Sequence, residues 1–243
     1  MKLTVVGCSP AWPNPGGAQS GYLVEAPGTG RLLLDCGPGV LARLRLHDDW
    51  PVVDAIAITH FHLDHWGDLV PWVWGALAGP GAQEVKPELI APPGGRARLA
   101  DLAVRLGGWE SMFEQVFRIR EFAERETTEV AGFELYPLQV PHYSLESYGF
   151  RVSNGGGPTI AYSGDSGPSE RLAELGRDAD LFVCEATLLE SAEPDLRGHL
   201  SLPEAEAAFE ASGAHRLLVT HRPKERPTDG LHELAYEGLE ISL

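Results

Sequence analysis

The chain has 243 residues, 43% of them apolar, and sets 19 Lys+Arg against 35 Asp+Glu for a net charge of −16. So acidic a chain lacks the basic stripe that gives nucleic-acid binders most of their affinity, and it is too apolar to be disordered. Cys8, Cys36 and Cys184 show no CxxC spacing, which argues against a disulfide framework or a thiolate zinc site.

In chain order, LTVVG (3–7), GYLVEA (21–26), RLLLDCG (31–37) and VVDAIAIT (52–59) are short apolar runs cut by Gly/Pro turns, the pattern of sequential strands in a buried sheet. The opening apolar run is too short for a signal-peptide core, and nothing approaches the roughly 18 apolar residues that span a bilayer, so a soluble cytoplasmic protein is expected. GDLVPWVWGALAG (67–79) reads as a helix on that sheet, with Pro71 in its first turn or kinking it. ELIAPP (88–93) is a further strand and GRARLADLAVRLG (95–107) an amphipathic helix, whereas the acidic loop from Glu121 to Glu129 reads as a solvated face.

The second half repeats the theme. FELYPLQV (133–140), SYGFRVSN (147–154) and TIAYSGD (159–165) are strand-like, the last two joined as a hairpin through Gly155-Gly156-Gly157. PSERLAELG (168–176) is a short helix and DLFVCEAT (180–187) a strand. SLPEAEAAFEASG (201–213) is a helix with a capping box, Ser201 with Glu204, and a stop at Gly213. HRLLVTH (215–221) and LEISL (239–243) close the chain as strands. Strands and helices alternate without a linker, so one αβ domain over residues 1–243, built as two packed halves, is expected.

The chemistry concentrates after the strand at 52–59, in Thr59-His60-Phe61-His62-Leu63-Asp64-His65. Such a loop supplies borderline N and O ligands and aims alternate side chains at two nearby points. His142, Asp165 and His221 lie just past other strand ends, where an open αβ architecture gathers its site. Alone, each reads more readily as a cap or turn residue. Together with the loop they make five His and two Asp, enough for two metal ions.

These seven residues resemble the metallo-β-lactamase superfamily, whose pattern is HxHxDH followed by a His, an Asp and a final His. The resemblance runs from residue 1 to about 221 and implies an αββα sandwich, two mixed β-sheets flanked by helices, with metal at one edge. It also implies that His60, His62 and His142 hold one ion, Asp64, His65 and His221 the other, and that Asp165 bridges them. His62, where the di-iron members carry Glu, favours two zinc ions, with manganese or iron(II) as alternatives. PHYS, YSGDSG, CEAT (184–187) and GHLS (198–201) look most like the ribonuclease Z-like phosphodiesterase branch. There a His about twenty residues before the last ligand assists the leaving group, and His199 fits that place. Its other reading is a helix-end residue beside the capping box. Glu185 is a candidate to orient it.

In bacterial ribonuclease Z a tRNA-gripping arm lies between the fifth and sixth of these ligands, but only 23 residues separate His142 from Asp165 here. The resemblance therefore implies a small phosphodiester, with the opening LTVVGCSPAWPNPGGAQSGYLVEA and LLLDCGPG pointing to the compact cyclic-nucleotide phosphodiesterases. In that reaction an ionised bridging water attacks phosphorus, Asp64 orients it and His199 protonates the leaving oxygen. Trp12, Tyr143 and Ser144 are candidate substrate-binding residues, while Trp72 and Trp74 read first as core. His47, His215 and His232 read as surface or strand-edge residues. No stable nucleic-acid partner and no membrane partner are expected, and homodimerisation stays open. The competing functions are a tRNA 3′ endonuclease, a lactonase or thioesterase of the same fold, and a non-catalytic metal-binding scaffold.

Overall fold

In the computed structural model, which describes residues 1–80, 86–188, 197–225 and 232–243, every apolar run read as a strand pairs into one of two seven-stranded sheets. The first half supplies β1 (Lys2–Gly7), β2 (Gly21–Glu25), β3 (Arg31–Leu34), β4 (Ala55–Ala57), β5 (Glu88–Ala91) and β6 (Arg118–Glu121). The second supplies β7 (Thr128–Val130), β8 (Phe133–His142), β9 (Leu145–Ser153), β10 (Ile160–Tyr162), β11 (Leu181–Glu185), β12 (Leu217–Thr220) and β13 (Glu233–Leu234). A last strand, β14 (Glu240–Ser242), returns to the first sheet beside β1, so the orders are β14-β1-β2-β3-β4-β5-β6 and β13-β12-β11-β10-β9-β8-β7. Both sheets follow one plan. Antiparallel strands, β1 to β3 or β8 to β10, lead into a parallel run, β3 to β6 or β10 to β13.

The period-2 alternation of the strands sorts their side chains into layers. Leu3, Tyr22, Val24, Leu32 and Leu34 of the first sheet face Leu135, Phe150, Ile160 and Leu181 of the second in one buried core. The alternate residues Leu23, Leu33, Ile56 and Leu89 point outward and are covered by helices α1 (Val40–Leu44), α3 (Leu69–Ala78) and α4 (Gly95–Arg105). Leu138, Ala161, Phe182 and Val219 do the same beneath α5 (Glu170–Gly176) and α6 (Leu202–Ser212). The result is the expected αββα sandwich.

Three details depart from the sequence reading. The segment after the histidine loop is two helices, a single turn α2 (Leu63–Trp66) and then α3, separated at Gly67-Asp68; Pro71 falls in the first turn of α3, where a missing N–H costs nothing. The stretch from Glu121 to Glu129 is mostly exposed, as a solvated face is, but β6 ends and β7 begins inside it. Arg118 and Arg120 flank buried Ile119, and charged edge strands escape a search for apolar runs. Trp72 is a core residue, but Trp74 is 47% exposed and meets Trp109 edge-on at 6.1 Å.

Asp68 ties α1 to α3. Its buried Oδ2 accepts the N–H of Leu41 at 2.8 Å, and burial pushes the carboxyl up to about 6 against the opposing pull of the Leu41 and Gly39 N–H groups. A carboxyl raised in the fold contributes its stability below the unfolded value of 3.8 and loses it as pH climbs through about 6. Asp68→Asn keeps the acceptor and cannot ionise. Its stability relative to the parent protein should therefore rise from about pH 4 to about pH 7, by up to about 3 kcal/mol in denaturant titrations. A difference that stays flat over that range would mean the buried carboxyl ionises without cost.

Candidate metal centre

Strand ends of both sheets converge on one edge of the sandwich. Beyond β4, the chain runs through Thr59 and His60 to His62, whose extended backbone starts α2; that single turn buries Asp64 and His65 and leaves Leu63 outside. His142 is the last residue of β8. Asp165 follows β10 after Gly164, where φ is +57° and a Cβ would lie 2.7 Å from the Tyr148 carbonyl oxygen, so only glycine makes this turn. His221 follows β12 in the left-handed region at φ +53°.

These residues form two overlapping clusters, His60/His62/His142/Asp165 and Asp64/His65/Asp165/His221, each with its ligand atoms within 4.8 Å of one another. Asp165 belongs to both. Its Oδ2 lies 3.9 Å from the Nε2 atoms of His60 and His142 and 3.2 Å from that of His65, while Oδ1 lies 3.5 Å from His221 Nε2. Asp64 Oδ2 sits 3.1 Å from His221 Nε2 and 3.5 Å from His65 Nε2. His62 Nδ1 and His142 Nε2 converge to 2.8 Å.

The outer ring nitrogens of four histidines are fixed by acceptors, which settles their tautomers. His65 Nδ1 donates to Asp35 Oδ2 at 2.7 Å and His142 Nδ1 to the Gly198 carbonyl at 2.6 Å. The Thr59 hydroxyl gives its proton to Asp35, so it accepts from His60 Nδ1 at 3.0 Å. Likewise the Thr187 hydroxyl, facing Glu185 Oε2 and the His221 carbonyl, accepts from His221 Nδ1 at 2.8 Å. Each of the four thereby directs Nε2 inward, where a cation would meet it. At His65 burial is outweighed by the Asp165, Asp35 and Asp64 carboxylates, which hold the ring well above its ordinary value, so a cation there would displace a proton. Buried inside the centre, His60 Nε2, His65 Nε2 and Asp165 Oδ1 have no hydrogen-bond partner. Polar atoms left so would cost folding energy, and divalent ions satisfy all three. The donor set fits metal, and it is the chemistry zinc favours.

The electrostatics agree. Burial alone would raise Asp165 and Asp64, but His221 and His65 beside the former, and His65 and His221 beside the latter, hold both carboxyls well below their ordinary range. Burial, joined by the neighbouring His65, pushes His60 well below its usual value, toward the neutral ligand form. Burial raises all three thiols, Cys8 to about 12, in keeping with the absence of cysteine from the centre.

His199 stands beside both clusters, its ring 5.0 Å from His142 and stacked at 5.7 Å on His221. Its Nδ1 donates to Glu185 Oε1 at 2.9 Å, and the buried Glu185 is held in turn by the N–H groups of Ser166 and Thr187. Tyr143 and Ser144 occupy the exposed tip of the β8–β9 hairpin, next to His142. Trp12 is 53% exposed on a pinned loop: Gln19 Nε2 holds the carbonyls of Pro10 and Ala11, and Asn14 bridges the Arg222 carbonyl and the Lys224 N–H. His47 and His215 lie on the surface away from the clusters, and half-buried His232 pairs with Glu206. Sequence reasoning passed over Asp35, Thr59 and Thr187. A charged residue closing the apolar run RLLLD was the available signal for Asp35.

Because Asp165 alone belongs to both clusters, Asp165→Ala should remove most of both bound ions, whereas His62→Ala should spare the Asp64/His65/His221 cluster. Elemental analysis of zinc-reconstituted protein checks this, with about two ions per parent chain expected. Retention of two ions by Asp165→Ala would refute a shared carboxylate.

The sequence matches the model of the β-lactamase superfamily domain over residues 30–222. It is 35% identical over 226 residues to Rv1339 of Mycobacterium tuberculosis, covering 92% of this chain and 81% of that protein. With a ribonuclease Z of Myxococcus xanthus the identity is 26% over 306 residues, covering 100% and 98%. With the probable metallo-hydrolase YhfI of Bacillus subtilis it is 26% over 247 residues, covering 97% and 92%, and the YhfI crystal structure superimposes over 99% of both chains with a TM-score of 0.83. The chain belongs to the β-lactamase superfamily and is a metallo-hydrolase of that fold.

Proposed function

We propose that the protein is a binuclear zinc phosphodiesterase acting on a small phosphodiester, a cyclic nucleotide above all. The observation that carries this reading is the His199–Glu185 pair, a histidine outside both four-residue clusters that forms a third close group with Glu185 and His221 and is backed by the buried carboxylate at 2.9 Å. Two zinc ions, which His60, His62, His142, Asp64, His65, His221 and Asp165 would hold, would supply Lewis acidity at the phosphoryl oxygens and a nucleophilic water at neutral pH. The protein's own residues do the rest.

Asp64, whose carboxyl stays ionised, accepts the hydrogen bond of the attacking water and aims its lone pair at phosphorus. His199 holds a proton on Nε2 while Glu185 keeps its Nδ1–H engaged and balances the imidazolium charge. That proton passes to the leaving oxygen. For a cyclic nucleotide the leaving group is a ribose alkoxide, too basic to depart easily unprotonated. Trp12 and Tyr143 offer rings for the base, and Ser144 a hydroxyl at the hairpin tip. A lactone or thioester places no such demand on an acid at this position.

The relative named ribonuclease Z raises a tRNA substrate as the second reading. Against it, β9, the turn at 154–157 and β10 fill the interval from His142 to Asp165, where an arm would emerge. The charge of −16 also repels a polyanion.

His199→Ala should lower turnover of a cyclic nucleotide by about 10²-fold or more with bound zinc unchanged, while hydrolysis of bis-p-nitrophenyl phosphate, whose leaving group departs unaided, falls far less. Steady-state kinetics on the two substrates decide the matter, and equal losses would make His199 a phosphate clamp instead of an acid. In a parallel assay at physiological salt, precursor tRNA should remain uncut while small diesters are turned over. Site-specific 3′ cleavage of the tRNA would replace the small-diester reading.

A further inference from the structure

The β8–β9 hairpin turns through only two residues, Tyr143 and Ser144, between the paired His142 and Leu145. Tyr143 takes φ +48° there, a left-handed conformation that hairpins ordinarily give to Gly or Asn. A bulky aromatic residue in that place is not explained by the turn. What explains it is the far side of the ring. Gly198 lies directly under it, so close that any Cβ at 198 would run into Tyr143 Cδ2, Cε2 and Cζ. The backbone is fastened on the same side, the Tyr143 N–H donating to the Arg197 carbonyl at 3.3 Å and His142 Nδ1 to the Gly198 carbonyl. A strained turn and a missing side chain thus cooperate to hold one aromatic ring at a fixed spot.

That spot is the leaving-group side of the centre. The Tyr143 ring stands 5.7 Å from that of His199, at 79° to it, and 5.1 Å from that of His142. Trp12 lies on a separate loop, fastened through Asn14 to Arg222 and Lys224. Tyr143 is 39% exposed, and with His142, Ser144 and Arg171 it lines a cavity of about 390 Å³, within the usual size of small-ligand pockets. The Arg171 guanidinium there is braced by Glu124 and the Gln139 carbonyl.

We propose that the Tyr143 ring, seated on Gly198 beside His199, is the wall on which the leaving alcohol packs, and that it selects diesters whose leaving alcohol carries a planar base. The inference rests on the phosphodiesterase reading with His199 as acid. In the step concerned, the water oxygen bonds to phosphorus and the bond from phosphorus to the alcohol oxygen breaks. The His199 proton ends on that oxygen, and the water's proton, whose hydrogen bond Asp64 accepts, is released to solvent. For a cyclic nucleotide the base of the departing ribose oxygen is the one that stacks.

A nucleoside methyl phosphodiester tests the wall, because its two leaving groups are alkoxides of similar basicity and only one carries a base. If the base side packs on Tyr143, the zinc-loaded parent protein releases nucleoside and methyl phosphate in preference to nucleotide and methanol, as read by chromatography. Tyr143→Ala, and Gly198→Ala, which pushes the ring away without removing it, should each move the product ratio toward parity by about tenfold, the scale of one base–aromatic stack. Tyr143→Phe should keep the parent ratio. The ratio is internal to one compound, so it does not depend on how much of a variant folds. Equal products from the parent protein, or a ratio unmoved by both Tyr143→Ala and Gly198→Ala, would overturn the inference. Parent protein that cleaves bis-p-nitrophenyl phosphate but releases no nucleoside overturns it alone, while failure on every diester brings down the phosphodiesterase reading with it.

Discussion

A single buried carboxylate, Asp35, fastens the two sheets to the metal loop. It sits past the end of β3 at φ +60° and receives the His65 Nδ1–H at 2.7 Å, the Thr59 N–H at 2.8 Å, the Thr59 hydroxyl at 2.9 Å and, from the opposite sheet, the Tyr162 hydroxyl at 2.8 Å. A fully buried carboxylate is tolerable only when its lone pairs are met, and here the donors that meet it belong to the loop and to β10. The need to satisfy one charge therefore fixes the distance between the sheets, the tautomer of His65 and, through Thr59, that of His60. On the other side Glu185 plays the matching part, gathering Ser166, Thr187 and His199, with Thr187 passing the constraint to His221. Two buried anions, one closing a strand run in each half, hold the inner faces of the histidines open toward a common point.

Much of this was legible in the residues. The strand runs announced themselves by length and Gly/Pro punctuation, α6 by its capping box with Ser201 and Glu204, and the edge strand β14 by LEISL. The seven candidate ligands were legible for a physical reason: ligating side chains must sit at strand ends, where few apolar residues compete for the position, so a His or Asp there stands out. What stayed hidden was the support. Asp35, Thr59 and Thr187 have no spacing rule, because the groups they hold are distant in sequence and meet them only when the sheets pack. Charged edge strands such as β6 hid for the opposite reason, since only one edge pairs and Ile119 alone among its four residues is buried. Trp74 was misread because an apolar helix face looks alike whether it is buried or bare.

The same packing gives the centre its charge logic. Four buried carboxylates, Asp35, Asp64, Asp165 and Glu185, lie within contact of the histidines. Their combined charge would disfavour an anionic ligand at this edge, and bound divalent cations would offset it. Affinity for an anionic substrate is thus tied to metal loading. Beyond about one Debye length, roughly 8–10 Å at physiological salt, what a substrate meets is the acidic exterior. A small diester fits almost wholly inside that radius and is governed by the centre. A polyanion would extend far past it, and each further phosphate would add repulsion from a chain carrying a net −16. On the phosphodiesterase reading proposed above, the range of the electrostatic field would favour small diesters over polyanions, and that preference should weaken as salt shortens the range.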